Sequence, residues 1–419
     1  MRIAFLTVSA EMGGSERSLV ELLRALRPLR PAWTFDVVLP REGPLAGQVR
    51  RAGASAVILP MPARLARLGE MTGGGVVGRA APLLAVPVVA RYARSLRKLL
   101  AALAPDVVHS NGFKLHVLAA RAVDASTPLL WHIHEYVTPR RLSRTLMRAC
   151  AGRVGAAVAN SQSVARDLAA AVGSGLRIET IYNGIDLDEF SPASDCGGDG
   201  TGEGRCGRRD VADLDALAGW PAAAAGTVRI GLVATFGRWK GHDVFLRALA
   251  RLDPSLPVRA YIVGGALYDT AGSQFTLESL QRMAADAGVG SRVAFTGFVE
   301  RTAPVLRALD IVVHASTRPE PFGLAIAEAM ACGCAVVVSA AGGAAEIVDS
   351  GRDALAHEPG DDAALAAALA RLTGDAGLRR QLGTAARVSA AAKFDARVFA
   401  HAFSSVYESL AVRGDRVPT

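Results

Sequence analysis

Lysine is scarce. Of 47 basic residues only four are lysine, at positions 98, 114, 240 and 393. A lysine in so arginine-rich a chain marks a place where a compact ammonium serves better than a planar guanidinium. Aromatic residues reach only 5%, and no nucleic-acid-binding motif is present, which leaves nucleic acid out as a partner. Five cysteines, an odd number in 419 residues, make no disulfide framework, and Cys332-x-Cys334 lacks metal-ligand spacing. No apolar run reaches 18 residues. The strongest candidate, 76–90, is broken by Arg79, Pro82 and Pro87, so no membrane span is expected. The start, Met1-Arg2-Ile3-Ala4-Phe5, reads as a buried strand without a small-residue cleavage site, so no signal peptide is expected either. Together these absences point to the cytoplasm.

What is present is burial capacity and an uneven charge. Apolar residues make up 51% of the chain, and its length calls for two or three domains. The net charge of +8 is not spread evenly: residues 64–153 hold 14 Lys/Arg against four Asp/Glu. Within that stretch Arg91, Arg94, Arg97 and Lys98, and then Arg140, Arg141, Arg144, Arg148 and Arg153, recur among Leu, Val and Met. A basic amphipathic helix serves an anionic membrane, although a solvated helix face has the same pattern.

Strand-like runs at 3–8, 35–39, 56–59, 107–109, 129–133 and 156–159, with helical runs between, form an open α/β pattern. A second series begins at 229–234 and continues through 260–263 and 292–296. Its centre is residues 311–349, IVVHASTRPEPFGLAIAEAMACGCAVVVSAAGGAAEIVD. Ile311-Val312-Val313 reads as a buried strand, a loop carries Arg318-Pro319-Glu320-Pro321, and a helix opens at Phe322-Gly323-Leu324. A further strand, 335–338, completes a parallel crossover unit. The first amides of that helix form an anion site, and Gly323 lets a phosphate approach closely. Glu320 precedes the site, and Glu328 lies about two turns further on. Carboxylates accept hydrogen bonds from hydroxyls, so the set suits a ligand with a diphosphate at its centre and polyols at its ends. On spacing alone, a solvated loop glutamate and a first-turn glutamate complementing the helix dipole account for it equally.

Taken with Gly342-Gly343 and Glu346-Ile347-Val348 downstream, this stretch resembles the signature of the retaining GT-B glycosyltransferases of the family 4 group. The resemblance implies two Rossmann-like, doubly wound domains facing across a cleft. It implies that Glu320 contacts donor-sugar hydroxyls, Glu328 binds the nucleotide ribose, and the amides of Phe322, Gly323 and Leu324 hold the diphosphate. Lys240, in Thr235-Phe236-Gly237-Arg238-Trp239-Lys240-Gly241, matches the family's donor-phosphate lysine. Many relatives carry an arginine about five residues upstream; Thr235 occupies that place here, and Arg238 is the substitute candidate. His134, in His132-Ile133-His134-Glu135, matches the active-site histidine. Gly13-Gly14 matches a glycine loop near the donor phosphates, and Ser15 reads as a helix cap. Without the resemblance, His134 reads as a packed loop histidine and Gly13-Gly14 as a plain turn. His109 is a weaker candidate of the same kind, and Ser161 reads first as a helix cap.

The expected organisation is an acceptor-side domain over 1–192, a flexible interdomain insertion over 193–227, a donor-binding domain over 228–395 and a closing helix over 396–412. The expected function is retaining transfer of a sugar from a nucleotide-sugar to a lipid-linked acceptor in polysaccharide or glycolipid assembly, at the inner face of the membrane. No metal is expected, with His134, Lys240 and Glu320 as the catalytic set. A sugar-nucleotide epimerase or hydrolase, or a non-catalytic nucleotide-binding membrane scaffold, are the alternatives.

Overall fold

The structure, a computed structural model, describes residues 1–66, 76–193, 210–266 and 272–414; the side chains of 76–85 and 413–414 are outside the description. The chain divides into two compact units, Met1–Gly184 with Ala396–Thr419, and Ile185–Asp395. Each is a parallel sheet covered by helices, as near-continuous Val/Ile/Leu/Ala strands require when both faces are buried.

In the first unit, β1 (Arg2–Leu6), β2 (Thr34–Leu39), β3 (Ser55–Ile58), β4 (Val107–Asn111), β5 (Leu129–Ile133), β6 (Ala156–Ala159) and β7 (Ile178–Thr180) are ordered β3-β2-β1-β4-β5-β6-β7. All pairs are parallel, with Phe5 beside Val37 on one flank and His109 on the other. The winding direction reverses between β1 and β4. The last helix, Ala396–Gly414, belongs to this unit and buries Phe399, Phe403, Tyr407 and Leu410 against Ile3, Phe5 and Phe35.

The second unit holds β8 (Val228–Val233), β9 (Val258–Val263), β10 (Val293–Gly297), β11 (Ile311–His314), β12 (Ala335–Ser339) and β13 (Leu355–His357), ordered β10-β9-β8-β11-β12-β13. Here the reversal falls between β8 and β11, where Ile230, Gly231 and Leu232 pair with Ile311, Val312 and Val313. Ligands of open α/β sheets collect beyond the carboxyl ends of strands at such a reversal.

Two sequence expectations need correction. Residues 194–209 of the expected flexible insertion lie outside the described residues, but 210–227 is an ordered part of the second unit. Asp213 caps the short helix Leu214–Leu217, and the buried Asp215 accepts from Arg259 Nη1 at 2.6 Å, Tyr261 Oη at 2.6 Å and the Ala223 amide at 2.8 Å. Burial would raise the Asp215 carboxyl, but these donors outweigh it and hold it down at about 2. Second, the helix Val76–Leu103 turns Tyr92, Leu96 and Leu100 into the core and leaves Arg91, Arg94, Arg97 and Lys98 exposed. Its apolar residues there are consumed by packing rather than offered to lipid, because a surface helix buries its hydrophobic stripe against its own domain.

Asp215→Ala leaves Arg259 and Tyr261 without their shared acceptor, a loss of about 3 kcal/mol for a broken buried pair. Thermal denaturation should show a lowered melting temperature for the second unit, and limited proteolysis should open 210–227 in the variant before the rest of that unit.

Candidate functional site

Three loops meet beyond the carboxyl ends of β8, β11 and β12, and they meet backbone to backbone. Gly241 adopts φ +74°, and a Cβ there would lie 1.8 Å from the Ala315 carbonyl oxygen. Gly343 has no room either, since its Cβ would stand 2.0 Å from the Pro321 carbonyl. The Thr317 amide donates to Trp239 O at 2.8 Å, which ties the loop after β11 to the loop after β8. On the other side the Gly343 amide donates to Glu320 O at 2.7 Å, and the Glu320 amide to Ala341 O at 3.3 Å. Lys240 and Glu320 are thereby brought together from positions eighty residues apart.

The Glu320 carboxylate is buried and multiply bonded. Lys240 Nζ donates to Oε1. His314 Nε2 lies 2.5 Å from Oε2, and Ser316 Oγ donates to the same oxygen at 2.7 Å. Burial alone would raise this carboxyl; the charge of Lys240 and the His314 ring overcome it and hold the group well below the usual carboxylate range. Lys240 also stands 4.0 Å over the Trp239 ring, a cation–π contact.

Beside this cluster, Gly323 caps the helix Leu324–Ala331 at φ +101°, a left-handed conformation that suits glycine. The amides entering that helix are the expected anion donors. Glu328 is on the same helix and 5% exposed. The Phe322 ring is buried edge-on against Phe394, with centroids 5.6 Å apart; the group expected at the diphosphate is its backbone amide, not the ring. Arg238 is exposed, but its guanidinium packs over Phe275 at 4.6 Å and donates to Gly272 O at 3.0 Å. Of the two cations expected at the diphosphate, only Lys240 meets Glu320.

His314, Ser316 and Trp239 were not singled out in the sequence. A histidine ending the apolar run Ile311-Val312-Val313 and alternating with Ser316 was the available signal, since period-2 spacing sends both toward one side. The two Asp-x-Asp sequences of the chain, 186–188 and 213–215, serve structure: Asp186 accepts the amides of Asp188 and Glu189, and Asp213 and Asp215 act as described above.

In the first unit the candidates again follow strand ends. Gly13 caps the helix Gly14–Leu29 without a side-chain cap, and Ser15, expected as the cap, donates instead to Glu16 Oε2 at 2.9 Å. Glu16 folds back over the loop so closely that a Cβ on Gly13 would stand 2.7 Å from Oε2, whereas Gly14 is open. Burial raises the Glu16 carboxyl.

His134 follows the end of β5 and donates from Nε2 to Asn111 Oδ1 at 3.2 Å, while its ring touches His132 at 3.9 Å between centroids. His109 hydrogen-bonds Tyr407 Oη through Nδ1 at 2.6 Å and stacks on Phe403. Burial drives the basicity of the whole group down, His134 to about 4 and His109 to about 3, with His116 and His132 also well below the ordinary value. These rings are neutral at pH 7. Ser161 is a helix cap, accepting from the Val164 amide at 3.1 Å.

Comparison with known proteins adds three findings. The family described as Glycosyl transferases group 1 matches residues 227–375, and Glycosyltransferase Family 4 matches 12–189. Among curated proteins the chain is similar to the D-inositol 3-phosphate glycosyltransferase of Corynebacterium jeikeium, 35% identical over 243 residues, covering 57% of this chain and 53% of that protein. It is 30% identical over 280 residues to the GDP-mannose-dependent alpha-(1-6)-phosphatidylinositol monomannoside mannosyltransferase of Mycolicibacterium smegmatis, covering 64% and 65%. The chain spans about half the length of most curated relatives it matches. Among solved structures, Anabaena HepE in complex with UDP and glucose superposes with TM-score 0.76 at 26% identity, covering 98% of this chain and 100% of that one.

The histidines make stability sensitive to acid. His242, fully buried between Phe236 and Phe275, has no hydrogen-bond partner on either ring nitrogen among the described residues, and burial lowers it to about 4. Between about pH 6.5 and pH 4 the unfolded chain binds a proton that the folded one refuses, so stability falls as the pH drops through that window. For His242 the full effect is on the order of 3 kcal/mol. Melting temperatures measured from pH 7 to pH 4 should fall, and His242→Leu should fall less steeply than the wild type.

Proposed function

The chain belongs to the glycosyltransferases of the family 4 group, and from that premise we propose that it transfers a sugar from a nucleotide-sugar to an acceptor with retention of anomeric configuration. The observation that carries this reading is the Lys240–Glu320 pair at the β8/β11 reversal, beside the amide end of the helix Leu324–Ala331. A diphosphate arriving there meets an ammonium and oriented amides. As the bond from sugar to diphosphate breaks, negative charge grows on the leaving oxygens, and these preorganised groups stabilise it without rearrangement of solvent. In this reading no metal is needed, because Lys240 and the amides at 323–324 carry the neutralisation. Arg238 contributes only if it leaves Phe275 and Gly272. Glu320 receives sugar hydroxyls, Glu328 the ribose, and His134, neutral at pH 7, offers the sugar a hydrogen bond without placing a positive charge beside the reacting centre. HepE, similar over its whole length, holds UDP and glucose, which supports a nucleotide-sugar donor.

The acceptor is proposed to be lipid-linked, in polysaccharide or glycolipid assembly at the inner face of the membrane. The mannosyltransferase relative is named for a phosphatidylinositol acceptor. Among the described residues no helix is long and apolar enough to cross a membrane. Contact with lipid would therefore rest on exposed cations: Arg91, Arg94, Arg97 and Lys98 on one helix, and Arg141, Arg144 and Arg148 with the exposed Leu142 on Arg141–Cys150. Each contributes on the order of 1 kcal/mol at an anionic surface.

A thermal-shift screen with UDP-, GDP-, ADP- and TDP-sugars should show one nucleotide class raising the melting temperature. With that donor, Lys240→Ala should lower turnover by about tenfold to a hundredfold, the loss of a charge-assisted phosphate contact. Glu328→Ala should raise KM more than it lowers kcat. Activity should persist in excess EDTA; loss that Mg²⁺ restores would reject the metal-free mechanism, and hydrolysis without transfer would reject the acceptor. Co-sedimentation should show binding to anionic but not neutral vesicles, weakening with salt, and joint replacement of Arg91, Arg94, Arg97 and Lys98 by Gln should release the protein.

A further inference from the structure

Glu320 is held asymmetrically. Its Oε2 takes two donors built on the β11 end, His314 Nε2 at 2.5 Å and Ser316 Oγ at 2.7 Å. Both are set in turn: His314 pairs with Val338 in the sheet, and the Ser316 carbonyl accepts from Ser339 Oγ at 2.6 Å. Oε1 instead receives Lys240, which comes from a different loop at the end of a long, rotatable stem. The same ammonium is the group a diphosphate would attract. If Lys240 were all that held the glutamate, each arrival of a diphosphate would leave a buried carboxylate unpaired, at the full cost of desolvation.

We propose that His314 is a positioning residue that anchors Oε2 of Glu320, so that Lys240 can exchange its contact on Oε1 for a diphosphate while the carboxylate stays ionised, oriented and able to accept a sugar hydroxyl. The anchoring itself follows from the geometry; its consequence for the sugar rests on the donor-site reading above. His314 Nδ1 is buried with no partner among the described residues. A ring with Nε2–H donated and a lone pair at Nδ1 fits that environment, because a second proton would need an acceptor that is not there. The device divides the work: the diphosphate is recognised through Lys240 and the helix amides, the sugar through a glutamate whose place does not depend on Lys240. Ser316 assists from the same side but is a shorter donor.

The first test needs no ligand. In protein labelled with ¹⁵N-histidine, the hydrogen-bonded His314 Nε2 proton, assigned by its loss in His314→Gln, should persist in Lys240→Ala. Its disappearance in Lys240→Ala would overturn the proposal, since Glu320 would then be held by Lys240 alone. The second test titrates UDP and UDP-glucose calorimetrically into wild type, His314→Phe and His314→Gln. His314→Phe should bind UDP within about twofold of wild type and lose about tenfold in affinity for UDP-glucose, as expected for one hydrogen bond to a charged group. His314→Gln, whose amide reaches Oε2, should recover most of it. Equal weakening of both ligands by His314→Phe, or no difference between the Phe and Gln variants, would reduce His314 to a packing residue. Should His314→Phe not fold, His314→Asn, too short to reach Oε2, takes its place. If wild type bound neither probe, the uridine form of the donor reading would fail, and the labelled-histidine experiment would still decide the anchoring.

Discussion

The carboxyl end of the second unit's sheet depends on backbones approaching more closely than any side chain allows. Gly241 against the Ala315 carbonyl and Gly343 against the Pro321 carbonyl bring the loops after β8, β11 and β12 into direct contact. A methyl group at either position would have to push main chain aside, and protein interiors do not yield such space cheaply. From this one constraint follow the register of Thr317 on Trp239, the grip of residues 341–343 on Glu320, and the meeting of Lys240 with that glutamate.

The electrostatics of the site follow from the same closeness. A carboxylate at Glu320's depth is costly unless it is paired and hydrogen-bonded. Three donors from two loops meet that requirement and keep it ionised. Asp215 solves a similar problem at the edge of the same unit with Arg259, Tyr261 and a backbone amide. The difference is in what the partners can do. At Asp215 they are pinned to the sheet and to the Trp220 ring, which makes a clamp. At Glu320 one partner is a lysine on a long, rotatable stem from a different loop.

The first unit handles its polar groups in the opposite way. His109, His116 and His132 are buried on strands and helix, where burial first, and then the neighbouring histidines, keep them neutral. The last helix enters this seam with Phe403 and Tyr407. A chain segment more than two hundred residues after Gly184 in sequence thus completes the core beside β1 and β4, and the His109–Tyr407 bond fixes its rotation. His134, at the mouth of the seam, inherits the same low basicity.

Sequence by itself determined the parallel α/β character, because buried Val/Ile/Leu strands alternating with helical runs admit little else. It also located the Lys240 and Glu320–Glu328 loops, whose glycines and prolines state their backbone needs locally. The short edge strands β7 and β13 escaped it, since three residues carry no period. So did the ordered half of the insertion: Asp215 becomes a clamp only when Arg259 and Tyr261, some forty-five residues away, fold beside it. Tyr92, Leu96 and Leu100 on the 76–103 helix looked available for lipid until packing claimed them. His314 shows the division most clearly. Its residue type and its place at the end of a strand were legible, but its partnership with Glu320 was decided by the tertiary structure, because only the closed loop turns that carboxylate back onto the strand that leads to it.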